Sequence, residues 1–126
     1  MSWCLNEETV ETSSKILKSI IKNEIVVPCL WVYEVTNTLT TSVRRNKLSV
    51  AETHHLINDI QLLPIEFDKP TIEDMFSIFN IANEHKLSAY DAAYIELALR
   101  TNTPIASFDK DVIKVAKKLG IKIFNG

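Results

Sequence analysis

Three acidic residues lie where a parallel α/β sheet would place its chemistry. Glu34 is on a predicted helix that follows a short β-branched run, and Asp91 is at the start of another predicted helix. Asp109 comes two residues after the predicted strand 104–107, and Asp111 follows as a further candidate ligand. Because sites in parallel sheets form outside the carboxyl ends of the strands, we expect these carboxylates to converge at one edge.

Converging carboxylates predict a bound cation. They repel one another, so a cluster of them stays ionised only with a positive charge in its midst. All-oxygen ligation selects Mg²⁺ or Mn²⁺ rather than Zn²⁺. A metal held in this way activates water and stabilises the leaving oxygen of a phosphodiester. Metal-assisted phosphodiester hydrolysis is therefore one hypothesis for this chain.

Each acid also has a purely structural alternative. Asp91 fits the fourth position of a capping box opened by Ser88, in which its carboxylate would accept from the Ser88 amide. Asp109 suits the N-cap of the following helix. Glu34 lies among apolar and aromatic neighbours, with no basic residue between it and Arg44, so it faces either solvent at a helix edge or a ligand. Spacing alone leaves both interpretations open.

The elements that must position these acids alternate along the chain. Apolar periodicity predicts the order α-β-α-α-β-α-α-β-α-β, which indicates a parallel sheet covered by helices on both faces. Helices are predicted over 7–23, from Leu30 to about Val43, from a capping box at Ser49, from Pro70, from Ser88 to about Arg100 and over 110–118, where Gly120 ends the last one. Strands are predicted over 25–27, 64–67 and 104–107, and over the apolar residues Ile121, Ile123 and Phe124.

One helical stripe is strongly apolar. On the helix that follows Pro70, large apolar side chains recur at helical spacing and predict a face buried in the core. The members of this stripe are Ile72, Met75, Phe76 and Phe79.

Composition excludes several other classes of protein. The 126 residues are 46% hydrophobic with a net charge of −2, which indicates a globular domain without the basic field of a nonspecific nucleic-acid binder. Cys4 and Cys29 form no CxxC pair, and Gly120 and Gly126, the only glycines, exclude glycine-rich phosphate loops. No apolar run approaches the roughly 18 residues of a membrane span and no signal peptide is visible, so we expect one cytoplasmic domain over residues 1–126.

Basic residues are grouped in two places. One group lies in mid-chain around Arg44 and Arg45, and the other is in the last helix, with Lys110 and Lys114. Solvated helix faces explain such runs. The alternative is that these four side chains face the phosphate groups of a ligand.

In three segments the identity of the residues is informative as well as the spacing of the acids. These segments are VPCLWVYEVTNTL at 27–39, LSAYDAAYIELA at 87–98 and PIASFD at 104–109. They resemble the second, third and fourth motifs of PIN-domain ribonucleases, most closely those of VapC-type toxins of toxin–antitoxin pairs. The opening residues 3–8, WCLNEE, are similar to the stretch that follows the first strand in that family. The resemblance thus spans the whole chain in the right order.

The resemblance implies a PIN-like three-layer α/β/α fold, one or two Mg²⁺ or Mn²⁺ ions and cleavage of single-stranded RNA. It also implies homodimers and an antitoxin protein that blocks the site. Carried over to this chain, it makes Glu34, Asp91 and Asp109 the catalytic and metal-binding acids. It further implies that Asn37 positions a water or the Glu34 carboxylate, and that Ser107 assists near the metal. With RNA as the implied substrate, the basic side chains that would steer it towards the acidic site are Arg44, Arg45, Lys110 and Lys114.

One part of the family pattern is not found. The first catalytic aspartate of the family lies at the end of the opening strand, upstream of the position that matches Trp3, and only two residues precede Trp3 here. We therefore expect that strand and its aspartate to be missing from the chain and activity to be reduced or lost. The alternative function is an inactive PIN-fold remnant that binds an antitoxin or a homologous partner. A generic α/β domain in which acids cap helices explains each acid separately, but it does not explain why all three motifs occur in one sequence.

Overall fold

The fold is built on a parallel four-stranded sheet. The computed structural model describes residues 2–3, 25–107 and 109–123, so the helix expected over 7–23 and the expected strand residue Phe124 lie outside the described residues. The sheet has the order β3-β2-β1-β4, with every neighbouring pair parallel. The strands are β1 (Ser2–Trp3), β2 (Ile25–Pro28), β3 (Ile65–Asp68) and β4 (Ile105–Ala106), and Ile123 adds a single parallel bridge to Ile105.

The centre of the sheet is occupied by β1. Ser2 pairs with Val26 of β2 on one side and with Ile105 of β4 on the other, and Trp3 pairs with Ala106. The sequence predicted that the opening strand is missing, whereas the structure has a two-residue strand in the central position. The physical reason is that β2 and β4 would otherwise present unpaired N–H and C=O groups to each other inside the protein.

Helices cover both faces of the sheet, as the sequence predicted. The connection from β2 to β3 carries two helices, and the connection from β3 to β4 carries two more while running back across the sheet. Right-handed crossovers in opposite directions place these pairs on opposite faces. The helices are α1 (Trp31–Arg44), α2 (Val50–Gln61), α3 (Asp74–His85), α4 (Ala89–Thr101) and α5 (Lys110–Lys118), and no helix in the described part of the chain is long and apolar enough to cross a bilayer.

The helix ends follow local sequence signals. The Ser49 side chain accepts from the Glu52 amide while the Glu52 carboxylate accepts from the Ser49 amide, so the predicted capping box of α2 is formed. Gly120, just beyond α5, has a φ of 76°, in the left-handed region where glycine is favoured over other residues. These two predictions are confirmed.

The core lies between the sheet and the inner faces of three helices. Trp31, Val35 and Leu39 of α1 are buried at one-turn spacing, and Tyr94 and Ile95 of α4 are fully buried. Helix α5 completes the core with the buried side chains of Val112, Val115 and Ala116.

The apolar stripe on α3 does not join this core, and the prediction that it is buried was wrong. Ile72 is 81% exposed, Met75 63%, Phe76 77% and Phe79 64%. Helix α3 begins at Asp74 rather than at Pro70, so Ile72 lies in the preceding turn. The reason for the error is that α3 is apolar on two faces. A second face of the helix is turned towards the protein: Ile81 packs against the core, and Ile78 and Ala82 are half-buried.

An ion-pair network ties α4 to the end of β3. The Arg100 guanidinium donates to both carboxylate oxygens of Asp68, at 3.1 and 2.7 Å, and to both of Glu96, at 2.7 and 3.2 Å. Glu96 is buried at 6% exposure. The hydrogen bonds to Glu96 and then to Asp68 raise the pKa of Arg100 further above its usual value. The network therefore satisfies a buried charge and fixes the C-terminal half of α4.

Candidate active site

The carboxyl edge of the sheet collects the three predicted acids. Glu34 is in the first turn of α1, which begins shortly after β2 ends, and Asp109 follows the end of β4. Helix α4 runs down to the start of β4, so its first turn, which carries Asp91, lies at the same edge. Parallel connections thus place the three residues at the same edge of the sheet.

The Glu34 carboxylate has no counter-charge among the described residues. Its Oε1 atom is buried and accepts no hydrogen bond from the described part of the chain. Burial raises the pKa of Glu34, the nearby Tyr94 hydroxyl lowers it, and the negative charge of Asp91 raises it further. A carboxylate with an orphaned buried oxygen, close to a second carboxylate, is a site that a cation would stabilise.

Asp91 is the central member of the set. Burial raises its pKa most, the charge of Asp109 raises it further, the Ser88 hydroxyl lowers it, and Asp111 adds a smaller upward effect. The Ser88 side chain accepts from the Asp91 amide at 3.1 Å, but within the described residues the reciprocal bond from the Ser88 amide to the Asp91 carboxylate is not formed. The capping-box alternative therefore does not occupy the Asp91 carboxylate.

Asp109 does act as a helix cap. Its Oδ1 atom accepts the amide hydrogens of Asp111 at 2.9 Å and of Val112 at 3.0 Å. The Ser107 hydroxyl in turn accepts from the Asp109 amide at 3.0 Å, so Ser107 holds the turn that presents Asp109. The cap uses one carboxylate oxygen and fixes the side chain, which leaves Oδ2 without a hydrogen bond in the described structure. Capping and a role in the site are thus compatible for this residue.

Two further predicted residues, Asp111 and Asn37, are both exposed. Asp111 is exposed in the first turn of α5 and contributes to the electrostatics of Asp91. Asn37 is exposed on α1, and its side chain forms no hydrogen bond with Glu34 in the described structure.

The basic residues predicted to steer RNA lie at two distances from the acids. Lys110 directly follows Asp109, and Lys114 lines a cleft of about 320 Å³ that Lys86 and Asp111 also line. Arg44 and Arg45 are at the far end of α1, about 15 Å along the helix axis from Glu34. That distance exceeds the screening length of about 8 Å at physiological salt. The lysines of α5 are therefore better placed than the two arginines to contact RNA at this edge.

Sequence reasoning missed one residue of the site. Tyr94 is completely buried, and its hydroxyl interacts with the Glu34 carboxylate. The signal was present in the sequence, because Tyr94 is three residues after Asp91 on α4 and positions at that spacing share a helix face.

The chemistry of the donors fits a hard divalent cation. All three side chains offer oxygen, one oxygen is buried without a partner, and the pKa values of Glu34 and Asp91 are both raised. Within the residues that the structure describes, however, no three acidic, histidine or cysteine side chains form a ready-made ligand group. The acids are therefore arranged as a row coupled from neighbour to neighbour, from Glu34 through Asp91 to Asp109.

A parallel sheet covered by helices, with acidic residues at its carboxyl edge, defines an α/β protein with a candidate site at that edge. Residues 1–118 match the family model described as PIN domain, and the chain belongs to the PIN domain family. PIN domains are generally nucleases, which hydrolyse nucleic acids and generally use divalent metals.

A solved structure supports the same fold. The chain is similar to the crystal structure of PAE2754 from Pyrobaculum aerophilum, with a TM-score of 0.70 and 18% sequence identity. The match covers 91% of this chain and 79% of that one. At this identity the similarity concerns the fold alone. No curated protein matches the sequence.

Proposed function

We propose that this chain is a divalent-metal-dependent endoribonuclease that acts in the cytoplasm as the toxin of a toxin–antitoxin pair. The observation that carries the proposal is the uncompensated negative charge at the carboxyl edge of the sheet. Glu34 has a buried oxygen without a hydrogen bond, and its pKa and that of Asp91 are raised by burial and by neighbouring carboxylates. Such an arrangement costs stability in the metal-free protein, and a cation removes that cost.

Glu34, Asp91 and Asp109 would hold Mg²⁺ or Mn²⁺, with Asp111 as an additional ligand. The ion, when bound, lowers the pKa of water and stabilises charge on a leaving phosphodiester oxygen. Asp91 would accept the proton of the attacking water: burial and the charge of Asp109 raise its pKa, which makes its carboxylate a stronger base, and its position in the first turn of α4 opposes part of that rise. Tyr94 orients the Glu34 carboxylate from the buried side.

The remaining predicted side chains would support this chemistry. Asn37, exposed one turn beyond Glu34, is free to contact a water or an RNA phosphate. Ser107 holds the backbone turn that presents Asp109. Lys110 and Lys114 would contact RNA phosphates beside the acids, which adds affinity that depends on salt.

A calorimetric titration of Mn²⁺ into the full chain tests the metal site. We expect saturable binding that Glu34→Gln and Asp91→Asn each abolish while the circular dichroism spectrum stays unchanged. Asp59→Asn is the matched control. This variant also removes one negative charge, but Asp59 is exposed on α2, away from the carboxyl edge. Full binding by Asp91→Asn would refute the site.

RNA cleavage tests the activity that rests on this site. A fluorescently labelled single-stranded RNA should be cut in Mn²⁺, left intact in EDTA, and left intact by Asp91→Asn. For the toxin role, induced expression of the wild-type chain in a bacterial host should arrest growth, whereas expression of Asp91→Asn should not. Cleavage without growth arrest would support a ribonuclease that is not a toxin.

A second candidate function is favoured by the composition of β1. The central strand consists of Ser2 and Trp3, so its described residues bring no carboxylate to the edge of the sheet. With fewer acids to hold a metal, the chain would serve as a catalytically inactive PIN fold that binds an antitoxin or a homologous partner. A folded wild-type chain that binds no Mn²⁺ and cuts no RNA would favour this candidate over the enzyme.

A further inference from the structure

A cleft rich in lysine continues from the acids at the carboxyl edge of the sheet. It has a volume of about 320 Å³ and lies between the end of α3 and one face of α5. Asp111, which lines it, is close enough to Asp91 to raise the pKa of that carboxyl. The volume is at the lower end of the range of ligand-binding sites, roughly 300–1,000 Å³. We call it the lysine cleft after the three lysines that line it, Lys86, Lys114 and Lys118.

The charge along one wall of the lysine cleft changes sign. Asp111, Lys114 and Lys118 are successively three and four positions apart on α5, so they share one face of the helix. Measured along the helix axis, Lys114 is about 4.5 Å from Asp111 and Lys118 is about 10.5 Å from it. Lys86, in the turn after α3, lines the other wall. An anion that extended away from the acids along α5 would therefore meet lysines from two sides.

The lysines of the cleft are not neutralised by their neighbours. Glu84 and Asp111 also line the cleft, yet within the described residues none of the three lysines forms an ion pair. Three lysines against two carboxylates leave the lining with a net positive charge. The cleft also has an apolar part, formed by the half-buried Leu87 and the buried Val115. Such a lining suits a ligand that combines an anionic group with C–H surface.

The backbone of Lys86 is in a conformation that favours glycine. Lys86 directly follows α3 with a φ of 55° and a ψ of 41°, in the left-handed region. Among the described residues the other non-glycine residues with positive φ are Asn46 and Asn102, and asparagine tolerates this region better than lysine does. Lysine therefore costs stability at this position, and backbone strain of this kind is typical of functional sites. The ammonium group that lines the cleft is what lysine adds here.

We propose that the lysine cleft binds the RNA phosphate next to the scissile one, an inference that rests on the proposed function and deepens it. With the scissile phosphate at the acids, the next nucleotide passes along α5, where Lys114 and Lys118 follow Asp111. A lysine holds a phosphate oxygen as a point charge, whereas the planar fork of arginine is preferred for a carboxylate. No arginine is among the described residues that line the cleft. The lining therefore favours RNA over an acidic peptide.

Fluorescence anisotropy of a labelled oligouridylate in EDTA tests the proposal on the full chain, so the result depends on neither bound metal nor cleavage. The double variant Lys86→Gln/Lys118→Gln should weaken RNA binding about fivefold at about 0.1 M salt, because one phosphate contact on a single strand releases about 0.7 of a counterion. For the same reason the slope of log K against log salt should become shallower by about 0.7. A wild-type chain that binds no RNA, or a double variant with unchanged affinity and slope, overturns the proposal.

Lys117→Gln/Lys122→Gln is the matched control. It removes the same two charges from exposed positions, one in the last turn of α5 and one beyond that helix, and neither residue lines the cleft. We expect this variant to bind RNA with the affinity of the wild type. An equal loss of affinity in the control and in the cleft variant would overturn the proposal, because total charge would then explain both.

Lys86→Gly separates the side chain of Lys86 from its backbone. Glycine adopts the left-handed region without steric cost, so this variant should have a higher Tm than the wild type and yet bind RNA more weakly. A residue with only a structural role would not give this combination. RNA binding as tight as that of the wild type would contradict the proposed contact.

Competitors identify the ligand of the cleft. At constant ionic strength, neither inorganic phosphate nor oligoglutamate should displace the labelled RNA as well as unlabelled oligouridylate does. Displacement by inorganic phosphate would indicate a site for free phosphate, and displacement by oligoglutamate a site for an acidic protein segment, and either result overturns the proposal. Failure of the proposed function is a different result, in which the wild-type chain binds no Mn²⁺ and cuts no RNA while Lys86→Gln/Lys118→Gln still weakens RNA binding.

Discussion

Arg100→Met removes the positive charge that joins β3 to α4 while it keeps most of the volume of the side chain. Arg100 donates four hydrogen bonds, two to Asp68 and two to Glu96. The Glu96 side chain is 8% exposed, the Asp68 side chain 22% and the Arg100 side chain 38%. After the substitution, water can reach Asp68, but Glu96 is left as a buried carboxylate without its partner.

The cost follows from this difference in burial. Breaking a fully buried ion pair by removing one partner costs about 3–5 kcal/mol. Because Arg100 and Asp68 are partly exposed, we reduce the expected loss of unfolding free energy to about 2–3 kcal/mol. An entropy of unfolding of about 2.1 cal/mol/K per residue, over a chain of this length, converts that loss to a fall in Tm of about 8–11 °C.

Thermal denaturation of the full chain at pH 7, followed by circular dichroism, measures this fall. The double variant Arg100→Met/Glu96→Gln is the control, since it also removes the orphaned charge and should regain most of the lost stability. A Tm for Arg100→Met within about 2 °C of the wild type would refute the reasoning, because such a shift is what an ordinary exposed pair gives. A double variant less stable than Arg100→Met would refute it too, since the orphaned Glu96 would then not be the cause.

Three other predictions concern the acidic edge. Burial raises the pKa of Glu34 and of Asp91, so both bind their protons more tightly in the folded chain, and the metal-free protein should lose stability as pH rises from about 4 through those raised pKa values. Urea denaturation at several pH values should show this decline, and Glu34→Gln should reduce it. Mn²⁺ at about one hundred times its Kd should stabilise the chain by about 2.7 kcal/mol, or about 10 °C in Tm, and an equal shift in Asp91→Asn would contradict the site. Tyr94→Phe removes the hydroxyl that lowers the pKa of Glu34, so the pH midpoint of Mn²⁺ binding should move upward while the fold is kept, and an unmoved midpoint would exclude this role of Tyr94.

Much of the fold could be predicted because its signals are local. The capping box at Ser49, the bounds of α5 and the left-handed Gly120 each depend on a few adjacent residues and on the backbone bonds those residues satisfy. The gathering of Glu34 and Asp91 at one edge could be predicted as well, because parallel strands separated by helices leave few other arrangements.

What could not be predicted depends on distant parts of the chain or on other molecules. Apolar spacing identifies the faces of α3 but does not say which face meets the core of the same chain, so the stripe around Phe76 was assigned to the wrong environment. The two-residue strand β1 is too short to have a pattern of its own, and pairing with β2 and β4 on both sides defines it. The interaction of Tyr94 with Glu34 joins two helices: the spacing on α4 places Tyr94 on the face of Asp91, but nothing in that segment indicates that its hydroxyl reaches Glu34 on α1.

Helix α4 reconciles a stable fold with an unneutralised acidic site. Its first turn carries Asp91 beside other carboxylates, and its last turns carry the Arg100 network that anchors the helix to β3. Asp91 and Arg100 are nine positions apart on α4, which corresponds to about 14 Å along the helix, more than the screening length of about 8 Å at physiological salt. The positive charge that stabilises the position of α4 therefore cannot compensate Asp91. The helix is held in place while its acidic end stays available to a cation, and this separation is what a site that must bind a metal, rather than a lysine or an arginine, requires.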